Sequence, residues 1–542
     1  MKHLVLGVDV GTGSARAGLF DADGRRLGHA SRDIGIWRLP GERVEQSSGD
    51  IWDAVSAAVR EALAKAGARP GQVAGIGFDA TCSLVLSTGE GEPLALGDGS
   101  PTRDVVVWMD HRAVAEAAEI TATGDVALEQ VGGTISPEMQ LPKLLWVKRH
   151  RPDLWRRLGR ARDLGDWLTW RATGSDARSS CTTVCKWCFD YGAHRAGGTG
   201  WPLSLLASVG LTDLLDRHHA VVGAEVLPPG TPLGAGLSAR AARELGLEPG
   251  TPVAAAAIDA HAGAIGVLGS VDPATAPDAR LALVAGTSSC LLIQSVERLP
   301  VQGVWGPYRG ALTGNGWLAE AGQSATGAFL DRLIQGHPAS GRLQGNPHAA
   351  LAAIIEGLLA RSGIDALLGD RLVLPDVLGN RSPLADPTMT GAITGLTLDG
   401  DERDLARLYL AGLFSLAYGS RHIVETLSAG GHRVEAIVAT GSGAGNGLLM
   451  QAHADVCGVP VYLPAETEGV LLGAAMLGAV AGGVQPDLDH AMRAMASGYR
   501  VLQPDPRTAA AHDRRYRASR RLQETLRDLA VELRQDVPAP GH

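Results

Sequence analysis

Short apolar runs joined by a glycine-rich turn open the chain. Residues 4–8 are apolar, residues 9–14 read Asp-Val-Gly-Thr-Gly-Ser, and residues 15–20 form a second apolar run. This pattern predicts a β-hairpin rather than a strand that leads into a helix.

Helical spacing follows. Apolar positions in residues 50–66 recur with a helical period, and Gly67 is a typical stop signal. Residues 73–78 and 105–109 predict buried strands, and residues 128–170 predict mainly helix. We therefore expect the first part of the chain to be an α/β domain.

The opening pattern returns in the second half. Residues 281–285 are apolar, residues 286–289 read Gly-Thr-Ser-Ser, and residues 290–294 are again apolar. We interpret this echo as two related domains, each of which begins with a hairpin. A third glycine cluster, residues 441–447, follows a strand predicted over residues 436–440 and precedes a helix predicted over residues 448–456.

Two late segments have distinct patterns. Residues 469–484 form the longest apolar stretch, which is too short for a membrane span and predicts a buried helix. Residues 513–534 predict a charged amphipathic helix, and residues 538–542 a frayed end.

Length and charge narrow the class of protein. A chain of 542 residues is too long for one hydrophobic core. The net charge of −9 disfavours a general nucleic-acid binder, which would present a basic face. No lysine follows Lys186, so a phosphate site in the second half must use backbone N–H groups, arginine or a metal ion.

The cysteine content and the first residues of the chain indicate the cellular compartment of the protein. Six cysteines are few for this length, and Asp9 interrupts the first apolar run, which argues against a signal peptide. We expect a protein of the reducing cytoplasm with no membrane or nucleic-acid partner.

The three glycine turns are candidate phosphate sites. Backbone N–H groups that converge from a tight turn bind phosphate, and glycine permits a close approach. None of the turns matches the P-loop or dinucleotide patterns. Each turn alone can be purely structural, but three turns at strand ends favour a nucleotide site.

Asp9 and Arg16 flank the first turn. A carboxylate at Asp9 can hold Mg²⁺ through water, whereas the alternative is a side chain that only caps the turn. Arg16 can neutralise phosphate charge, or it can be an ordinary solvated strand residue.

Asp259 ends a run of small apolar residues, 254–258. A carboxylate at that place is costly to bury, and it can accept a hydroxyl proton during phosphoryl transfer. The alternative is an N-cap for a helix over residues 260–268.

Three cysteines have the spacing C-x3-C-x2-C: Cys181, Cys185 and Cys188. This spacing resembles the iron–sulfur loop of radical S-adenosylmethionine enzymes. Those enzymes usually carry the loop early, after the first strand of a barrel, and nothing else here resembles that barrel. The alternative is three small core residues beside a functional lysine, Lys186.

Taken together, the motifs resemble the FGGY carbohydrate kinases. Residues 9–16 resemble the family's first phosphate hairpin, 286–289 the second, 441–446 the adenosine-side turn, and 391–396 the second signature segment. The resemblance covers about residues 4–485. It implies an α/β fold with two actin- and hexokinase-like (ribonuclease H-like) domains and a cleft between them.

The resemblance also implies domain bounds. We expect an N-terminal sugar-binding domain over residues 1–262, a C-terminal ATP-binding domain over residues 263–490 and a helical extension over residues 491–542. The family often dimerises, so a homodimer is compatible with it.

Several segments resemble ribulokinases, especially the D-ribulokinase branch. They are residues 77–83, 108–113, 138–143, 185–187, 258–263, 320–324 and 379–383. Glycerol kinases have an Arg-Glu pair where this chain has Ala80 and Thr81, and the Met-His pair of xylulose kinases is also missing. Gly13 replaces a hydroxyl or acidic residue that is frequent in the family, so no side-chain role is expected there.

Roles for single residues follow from the resemblance. Asp259 would be the catalytic base, and Asp9 would bind Mg²⁺ through water. The sugar would contact Ala80, Asp110, His111, Lys186, Asp259 and Glu320. ATP would contact Gly11, Thr12, Gly13, Arg16, Gly286, Thr287, Ser288, Gly441, Ser442 and Asn446.

We therefore expect an ATP- and Mg²⁺-dependent kinase that phosphorylates the 5-hydroxyl of a ketopentose, with D-ribulose favoured by the resemblance. L-Ribulose and other ketoses or polyols remain alternative substrates. The sequence does not distinguish mirror-image sugars, because discrimination depends on where the protein places the partners of their hydroxyl groups. Rivals from other classes are the iron–sulfur enzyme and a non-catalytic ATP-binding regulator of the same fold.

Overall fold

A computed structural model of the chain describes residues 3–96, 100–216, 221–314 and 316–534. The predicted frayed end, residues 538–542, lies outside the described residues. The strands, in chain order, are β1 (Leu4–Val10), β2 (Ser14–Phe20), β3 (Arg26–Asp33), β4 (Trp37–Leu39), β5 (Arg43–Gln46), β6 (Val73–Ala80), β7 (Leu84–Ser87), β8 (Val105–Val106), β9 (Arg160–Asp163), β10 (Arg178–Ser179), β11 (Val226–Leu227), β12 (Ala257–Ile258), β13 (Arg280–Ala285), β14 (Ser289–Ser295), β15 (Trp305–Arg309), β16 (Trp317–Gln323), β17 (Val373–Leu374), β18 (Ala392–Ile393), β19 (Ala436–Thr440), β20 (Val461–Pro464) and β21 (Tyr499–Leu502).

The α-helices in the described residues follow the same order. They are α1 (Ser48–Ala66), α2 (Val114–Ala122), α3 (Gln140–His150), α4 (Pro152–Trp155), α5 (Leu164–Thr173), α6 (Ser180–Lys186), α7 (Tyr191–Arg195), α8 (Leu203–Ser208), α9 (Ala239–Leu245), α10 (Asp259–Val267), α11 (Gly327–Gln335), α12 (Pro347–Leu368), α13 (Glu402–Ala429), α14 (Gly447–Cys457), α15 (Gly469–Ala481), α16 (Leu488–Ala494) and α17 (Ala509–Arg534).

The chain forms two compact units whose segments alternate along the sequence. Unit 1 consists of Met1–Asp278, Leu292–Glu320 and Pro464–Tyr499, and unit 2 of Ala279–Leu291, Ala321–Leu463 and Arg500–His542. The domains predicted from the sequence, with bounds at residues 262 and 490, are consecutive along the chain. The compact units are not consecutive, because residues 292–320 and 464–499 belong to unit 1.

A mixed five-stranded sheet forms the centre of unit 1, with the order β12-β6-β1-β2-β3. The predicted hairpin is confirmed, since β1 pairs antiparallel with β2 from Val5 opposite Phe20 to Val10 opposite Ala15. β6 runs parallel to β1 and to β12. The carboxyl ends of these three parallel strands therefore meet at one edge of the sheet.

Helix α1 packs on one face of this sheet, as its pattern predicts. The Ser47 side chain accepts a hydrogen bond from the Asp50 N–H at its start, and Gly67 ends it in the left-handed conformation with φ of 60°. Apolar residues at helical spacing, among them Ile51, Val55 and Val59, are fully buried. The predicted end at Gly67 is thus confirmed.

Two other regions of unit 1 fit the sequence pattern less closely. The predicted strand over residues 105–109 shortens to β8, because the Asp110 N–H bonds back to the Val107 carbonyl and turns the chain. The region 128–170 contains helices α3, α4 and α5, but strand β9 interrupts them.

Helix α15 is the buried helix predicted from the apolar run 469–484. It lies against β1, β6 and α10 within unit 1. Glycines line both sides of these contacts: a Cβ added at Gly77 would lie less than 3.0 Å from the Ala474 carbonyl oxygen, and one at Gly473 equally close to the Ala262 carbonyl oxygen. Backbone therefore packs directly on backbone here, which only glycine allows.

Unit 2 has a parallel core of three strands. β19 pairs with β13, with Val284 opposite Thr440, and also with β20, with Ile437 opposite Val461. The long helix α13 packs against α11, α12 and α14. The predicted strand 436–440 and the helices predicted over 448–456 and 513–534 are confirmed as β19, α14 and α17.

The apolar helices are short or interrupted by charge. Among the described residues, none of the helices has both the length and the hydropathy that a membrane span requires.

We expect Gly77→Ala to lower the melting temperature of the protein by several degrees. Its Cβ would meet the Ala474 backbone, which cannot rotate away as a side chain can, so overpacking should cost about 1–3 kcal/mol or more. Thermal unfolding followed by circular dichroism measures the shift. Gly89→Ala is the matched control, because Gly89 is exposed and its added Cβ meets nothing within 4 Å. An equal melting temperature for both variants would contradict the close-packing argument.

Candidate active site

Strand register in unit 1 brings three charged side chains into one row. Asp9 of β1 lies opposite Arg16 of β2 and opposite Asp79 of β6. Side chains of directly opposed residues project from the same face of a sheet. Arg16 and Asp9 accordingly form an ion pair.

The two carboxylates of this row are fully buried. Burial raises the pKa of Asp9, and the nearby Arg16 guanidinium opposes that shift. Burial and the Asp9 charge raise the pKa of Asp79 well above its usual range. The two neighbouring carboxyl groups therefore disfavour each other's ionised form, and Arg16 offsets part of that cost at Asp9.

Asp259 lies beside this row. Ala257 is opposite Asp79 and Ile258 is opposite Ala80, and the chain then enters helix α10, of which Asp259 is the first residue. The Asp259 Oδ1 accepts a hydrogen bond of 2.7 Å from the Ala260 N–H. The interpretation of Asp259 as an N-cap is wrong, because Ile258 occupies the cap position and α10 has no side-chain cap bond.

Asp259 combines partial exposure with a shifted pKa. The side chain is partly accessible to solvent. Desolvation raises its pKa to about 6, helped by the Asp9 charge and opposed by the Ala260 N–H and Lys186. A carboxylate of this kind is ionised at neutral pH and is a stronger base than an ordinary aspartate.

Lys186, at the end of α6, is buried next to two residues of a neighbouring hairpin. Its ammonium nitrogen lies 4.6 Å from the centre of the Trp305 ring. Trp305 of β15 is directly opposite Glu320 of β16, so both side chains project from the same face. Burial opposes the charge of Lys186, but neighbouring acidic groups, including Cys82 and Glu320, raise its pKa above the ordinary value.

Asp110 and His111 have mainly structural contacts. The Asp110 carboxylate accepts hydrogen bonds from the Arg112 Nε at 2.8 Å and from the Val44 N–H at 2.6 Å. The His111 Nδ1 lies 3.9 Å from the Glu42 carboxylate. Their predicted contact with a sugar stays a prediction, and we expect Asp110 to hold its loop in place.

Side chains from other parts of unit 1 bind the first glycine turn. The Gly11 N–H bonds to the Ser14 carbonyl at 3.0 Å, and the Trp108 Nε1 donates to the Thr12 hydroxyl at 3.0 Å. The Gln46 amide donates to the Thr12 carbonyl at 2.8 Å. An added Cβ at Gly13 would meet nothing within 4 Å, which fits the expectation of no side-chain role there.

Both predicted turns of unit 2 lie at the carboxyl ends of parallel strands. Gly286 follows β13 and Gly441 follows β19, and a Cβ added at Gly441 would collide with the Ala285 backbone. The N–H groups of Thr326 and Gly327, at the start of α11, bond to the carbonyls of Thr287 and Gly286. Such an edge is the usual place for a nucleotide in an α/β sheet.

Ser442 and Asn446 complete the second of these turns. Ser442 begins a short 3₁₀ helix, and Asn446 caps α14 by accepting a hydrogen bond from the Leu449 N–H at 3.1 Å. The Asn446 amide also donates to the Tyr409 hydroxyl at 2.9 Å. These bonds fix the turn, so its backbone rather than the Asn446 amide is available to a ligand.

The chemistry of the Asp9 site fits a hard cation. The buried carboxyl groups of Asp9 and Asp79 lie opposite each other, and Asp9 also pairs with Arg16. Mg²⁺ prefers such carboxylate oxygens together with water and phosphate.

The structure groups two of the three cysteines of the C-x3-C-x2-C motif and leaves out the third. Cys181 and Cys185 lie one turn apart on α6, and their sulfur atoms group with a ring nitrogen of His261, all within 4.8 Å of one another. Cys188 follows the end of the helix with a φ of 52° and is not part of this group.

Family comparison agrees with this architecture. Residues 4–266 match the N-terminal domain of the FGGY family of carbohydrate kinases, and residues 281–482 match its C-terminal domain. The chain belongs to the FGGY family of carbohydrate kinases. Kinases of this family use ATP and transfer a phosphoryl group to a sugar, so the chain is a carbohydrate kinase.

Several FGGY relatives are similar over most of their length. The FGGY carbohydrate kinase domain-containing protein of Homo sapiens is 41% identical, over 99% of this chain and 98% of that protein. A D-ribulokinase of Saccharomyces cerevisiae is 37% identical over 88% of this chain and 71% of its own length. A ribulokinase of Mycolicibacterium smegmatis is 31% identical, over 95% of this chain and 92% of that protein.

Solved structures of FGGY kinases share the fold. The xylulose kinase of Rhodospirillum rubrum, 24% identical, superposes with a TM-score of 0.78 over 97% of this chain and 99% of that one. The predicted two-domain α/β kinase fold is confirmed. The iron–sulfur alternative finds no support, because the fold is that of a kinase and Cys188 stands apart from the other two thiols.

Several residues of this FGGY kinase site were not found from the sequence. They are Asp79, Trp305 and Glu468, the last of which binds the Arg16 guanidinium at 3.0 Å. Asp79 follows the apolar run 73–78 much as Asp9 follows the apolar run 4–8, and that parallel was a usable signal. Trp305 and Glu468 carry no local signal, because only strand pairing and chain reversal bring them near the site.

We expect Asp259→Asn to stabilise this FGGY kinase at pH 8. The folded-state pKa of about 6 exceeds the ordinary value of about 4. The folded protein therefore binds this proton more tightly than the unfolded chain, and the contribution of Asp259 to stability falls as pH rises from about 4 to about 6. Because the group is partly exposed, the gain should be on the order of 1–2 kcal/mol at pH 8 and about half that at pH 5.

Urea unfolding at both pH values measures this difference. Asp53→Asn is the matched control, because Asp53 is exposed on α1. A loss of stability at pH 8 in the Asp259 variant would contradict the electrostatic argument.

Proposed function

We propose that this kinase transfers the γ-phosphoryl group of ATP to the 5-hydroxyl of a ketopentose, with D-ribulose as the first candidate. The observation that carries the proposal is the Asp259 carboxylate, which is partly exposed, has a raised pKa and is close enough to the Asp9–Arg16 ion pair and to the buried Lys186 to feel their charges. The 37% identity to a D-ribulokinase supports the choice of sugar.

In this proposal Asp259 is the catalytic base. It orients the 5-hydroxyl and accepts its proton as the oxygen attacks the γ-phosphorus, so one O–P bond forms while the bond to the β-phosphate oxygen breaks. The transition state is loose, and positioning contributes most of the effect. A pKa of about 6 keeps Asp259 ionised at neutral pH while leaving it basic enough to accept the proton.

Lys186 and Glu320 would hold the remaining sugar hydroxyls. Ammonium is a donor without acceptor capacity, whereas carboxylate only accepts, so the pair fixes the direction of each hydroxyl bond. The Glu320 Oε2 is buried and accepts no hydrogen bond from the described residues, as expected of an acceptor kept for a substrate. Ala80, Asp110 and His111 remain proposed sugar contacts.

ATP would be held by backbone groups of the three glycine turns, at Gly11–Thr12–Gly13, Gly286–Thr287–Ser288 and Gly441–Ser442–Asn446. Arg16 would offset phosphate charge. Mg²⁺, when bound at Asp9 and Asp79, would neutralise charge on the phosphate oxygens. Arg16 pairs with both Asp9 and Glu468, which holds the Asp9 carboxylate in place.

L-Ribulose is the principal alternative sugar. The protein of M. smegmatis that is 31% identical is named only a ribulokinase, so its name does not distinguish the mirror images. Discrimination between them depends on which hydroxyls meet Lys186 and Glu320, because unpaired polar groups in a buried site are costly.

We expect Asp259→Asn to lower kcat by about 10²–10⁴-fold while sugar and ATP still bind. The amide keeps the shape of the side chain but cannot accept the proton. Coupled ADP production measures kcat, and calorimetry measures both dissociation constants. Asp53→Asn is the control with full activity. Normal turnover in the Asp259 variant would remove it as the base, and absence of sugar-stimulated ADP release in the wild type would favour a regulator.

We expect D-ribulose to have the highest kcat/KM in a panel that also contains L-ribulose, D-xylulose, L-xylulose and ribitol. The reason is the resemblance to D-ribulokinases and the departure from xylulose and glycerol kinase motifs at Ala80 and Thr81. Initial rates at several concentrations of each sugar, with saturating ATP, give the ranking. A sugar that exceeds D-ribulose in kcat/KM would overturn the substrate assignment.

A further inference from the structure

We propose that Cys181, Cys185, His261 and Glu320 form a buried site for Zn²⁺ or a similar thiophilic divalent cation, and that metal bound there blocks the sugar site. The two sulfur atoms and a ring nitrogen of His261 lie within 4.8 Å of one another. Three of these side chains are fully buried and Glu320 is 4% exposed. All four belong to unit 1.

The spacing of the ligand atoms fits a tetrahedral metal. The Cys185 Sγ and the His261 Nε2 are 3.4 Å apart. Zinc bonds of about 2.3 Å to sulfur and about 2.0 Å to nitrogen place two tetrahedral ligands about 3.5 Å apart. For Cys181, Cys185 and His261, binding would therefore need small side-chain shifts rather than movement of α6 or α10.

Glu320 lies outside that group of three but would supply the fourth ligand by turning its carboxylate towards the sulfur atoms. Its Oε2 lies 3.8 Å from the His261 Nε2 and accepts no hydrogen bond from the described residues. An acceptor buried without a donor costs about 1–3 kcal/mol, and a cation at this place would satisfy it. The buried, unpaired Glu320 oxygen supports a cation site independently of the cysteine spacing.

The surroundings support a thiolate site. The Ile258 N–H points at the Cys181 Sγ at a distance of 3.4 Å, a donor that stabilises a metal-bound thiolate. Two thiolates, one carboxylate and a divalent cation carry a net charge of about −1. The buried ammonium of Lys186, next to Cys185, offsets this charge.

Ligand chemistry selects the metal. Thiolate and imidazole favour zinc and softer cations, whereas Mg²⁺ requires hard oxygen ligands. The site is therefore chemically distinct from the carboxylates of Asp9 and Asp79.

The four ligands flank the residues assigned to the sugar. Cys185 precedes Lys186, His261 follows Asp259 by two positions, and Glu320 belongs to both sites. A metal that takes the Glu320 carboxylate removes an acceptor from the sugar. Inhibition by this route rests on the proposed function, but metal binding itself does not.

Direct binding tests the site without reference to activity. The full-length protein is freed of metal with a chelator and equilibrated with Zn²⁺ in competition with a chromophoric chelator until the signal is constant. We expect one Zn²⁺ per chain, and at least 10-fold weaker binding in both Cys185→Ser and Cys181→Ser. Cys188→Ser is the matched control and should bind as the wild type does.

Cobalt provides the second measurement. Co²⁺ should give a near-ultraviolet charge-transfer band from thiolate ligation, which each ligand variant diminishes and Cys188→Ser retains. Circular dichroism shows that each variant is folded. No stoichiometric Zn²⁺ binding by the wild type, or equal binding and spectra in Cys188→Ser, Cys181→Ser and Cys185→Ser, would overturn the site.

Competition links the site to the sugar. D-Ribulose should weaken Zn²⁺ binding, and Zn²⁺ should raise the KM for sugar without changing that for ATP. Stoichiometric Zn²⁺ that the sugar does not displace would overturn the blocking role and leave the metal site standing. A kinase that turns over but binds no Zn²⁺ would overturn the metal site and leave the proposed function standing.

Discussion

Direct packing of helix α15 on strands β1 and β6 and on helix α10 is the constraint on which the rest of unit 1 depends. Glycines at 77 and 473 remove the side chains that would otherwise hold these elements apart. Because α10 begins at Asp259, its distance from the sheet sets the distance of Asp259 from Asp9 and Asp79. A wider spacing would reduce the desolvation of Asp259 and the repulsion by Asp9, which together raise its pKa, and with them the basicity that phosphoryl transfer uses.

The cost of that arrangement is electrostatic. The carboxyl groups of Asp9, Asp79 and Asp259 meet at one edge of the sheet, and the charges of Arg16 and Lys186 offset part of their repulsion. Such clusters persist because the surrounding packing holds them, and they are concentrated at functional sites. The buried position of Asp259 beside other carboxyl groups therefore has two effects. It lowers the stability of the folded protein when Asp259 is ionised, and it makes Asp259 a stronger base, which is the usual trade-off at an active site.

The sequence was sufficient for elements whose signals are local. The hairpin at residues 9–16, the end of α1 at Gly67 and the buried helix α15 follow from turn chemistry and apolar periodicity. The partners of Lys186 could not be predicted in this way. Trp305 and Glu320 lie more than a hundred positions after Lys186, and the pairing of β15 with β16 places them together beside it. Asp110 stays a predicted sugar contact, and the structure adds what its motif did not indicate: its carboxylate accepts hydrogen bonds from Arg112 and the Val44 N–H.

The cysteines show why spacing alone is a weak guide to chemistry. Three thiols at C-x3-C-x2-C suggest one cluster, yet helix α6 extends only to Lys186, and Cys188 turns away with a positive φ. Four-residue spacing on the helix keeps Cys181 and Cys185 on one face, and strand β12 and α10 then bring His261 to that face. The structure groups two sulfurs and a nitrogen in place of three sulfurs, and with the carboxylate of the proposed site the favoured metal changes from an iron cluster to a single zinc-like ion.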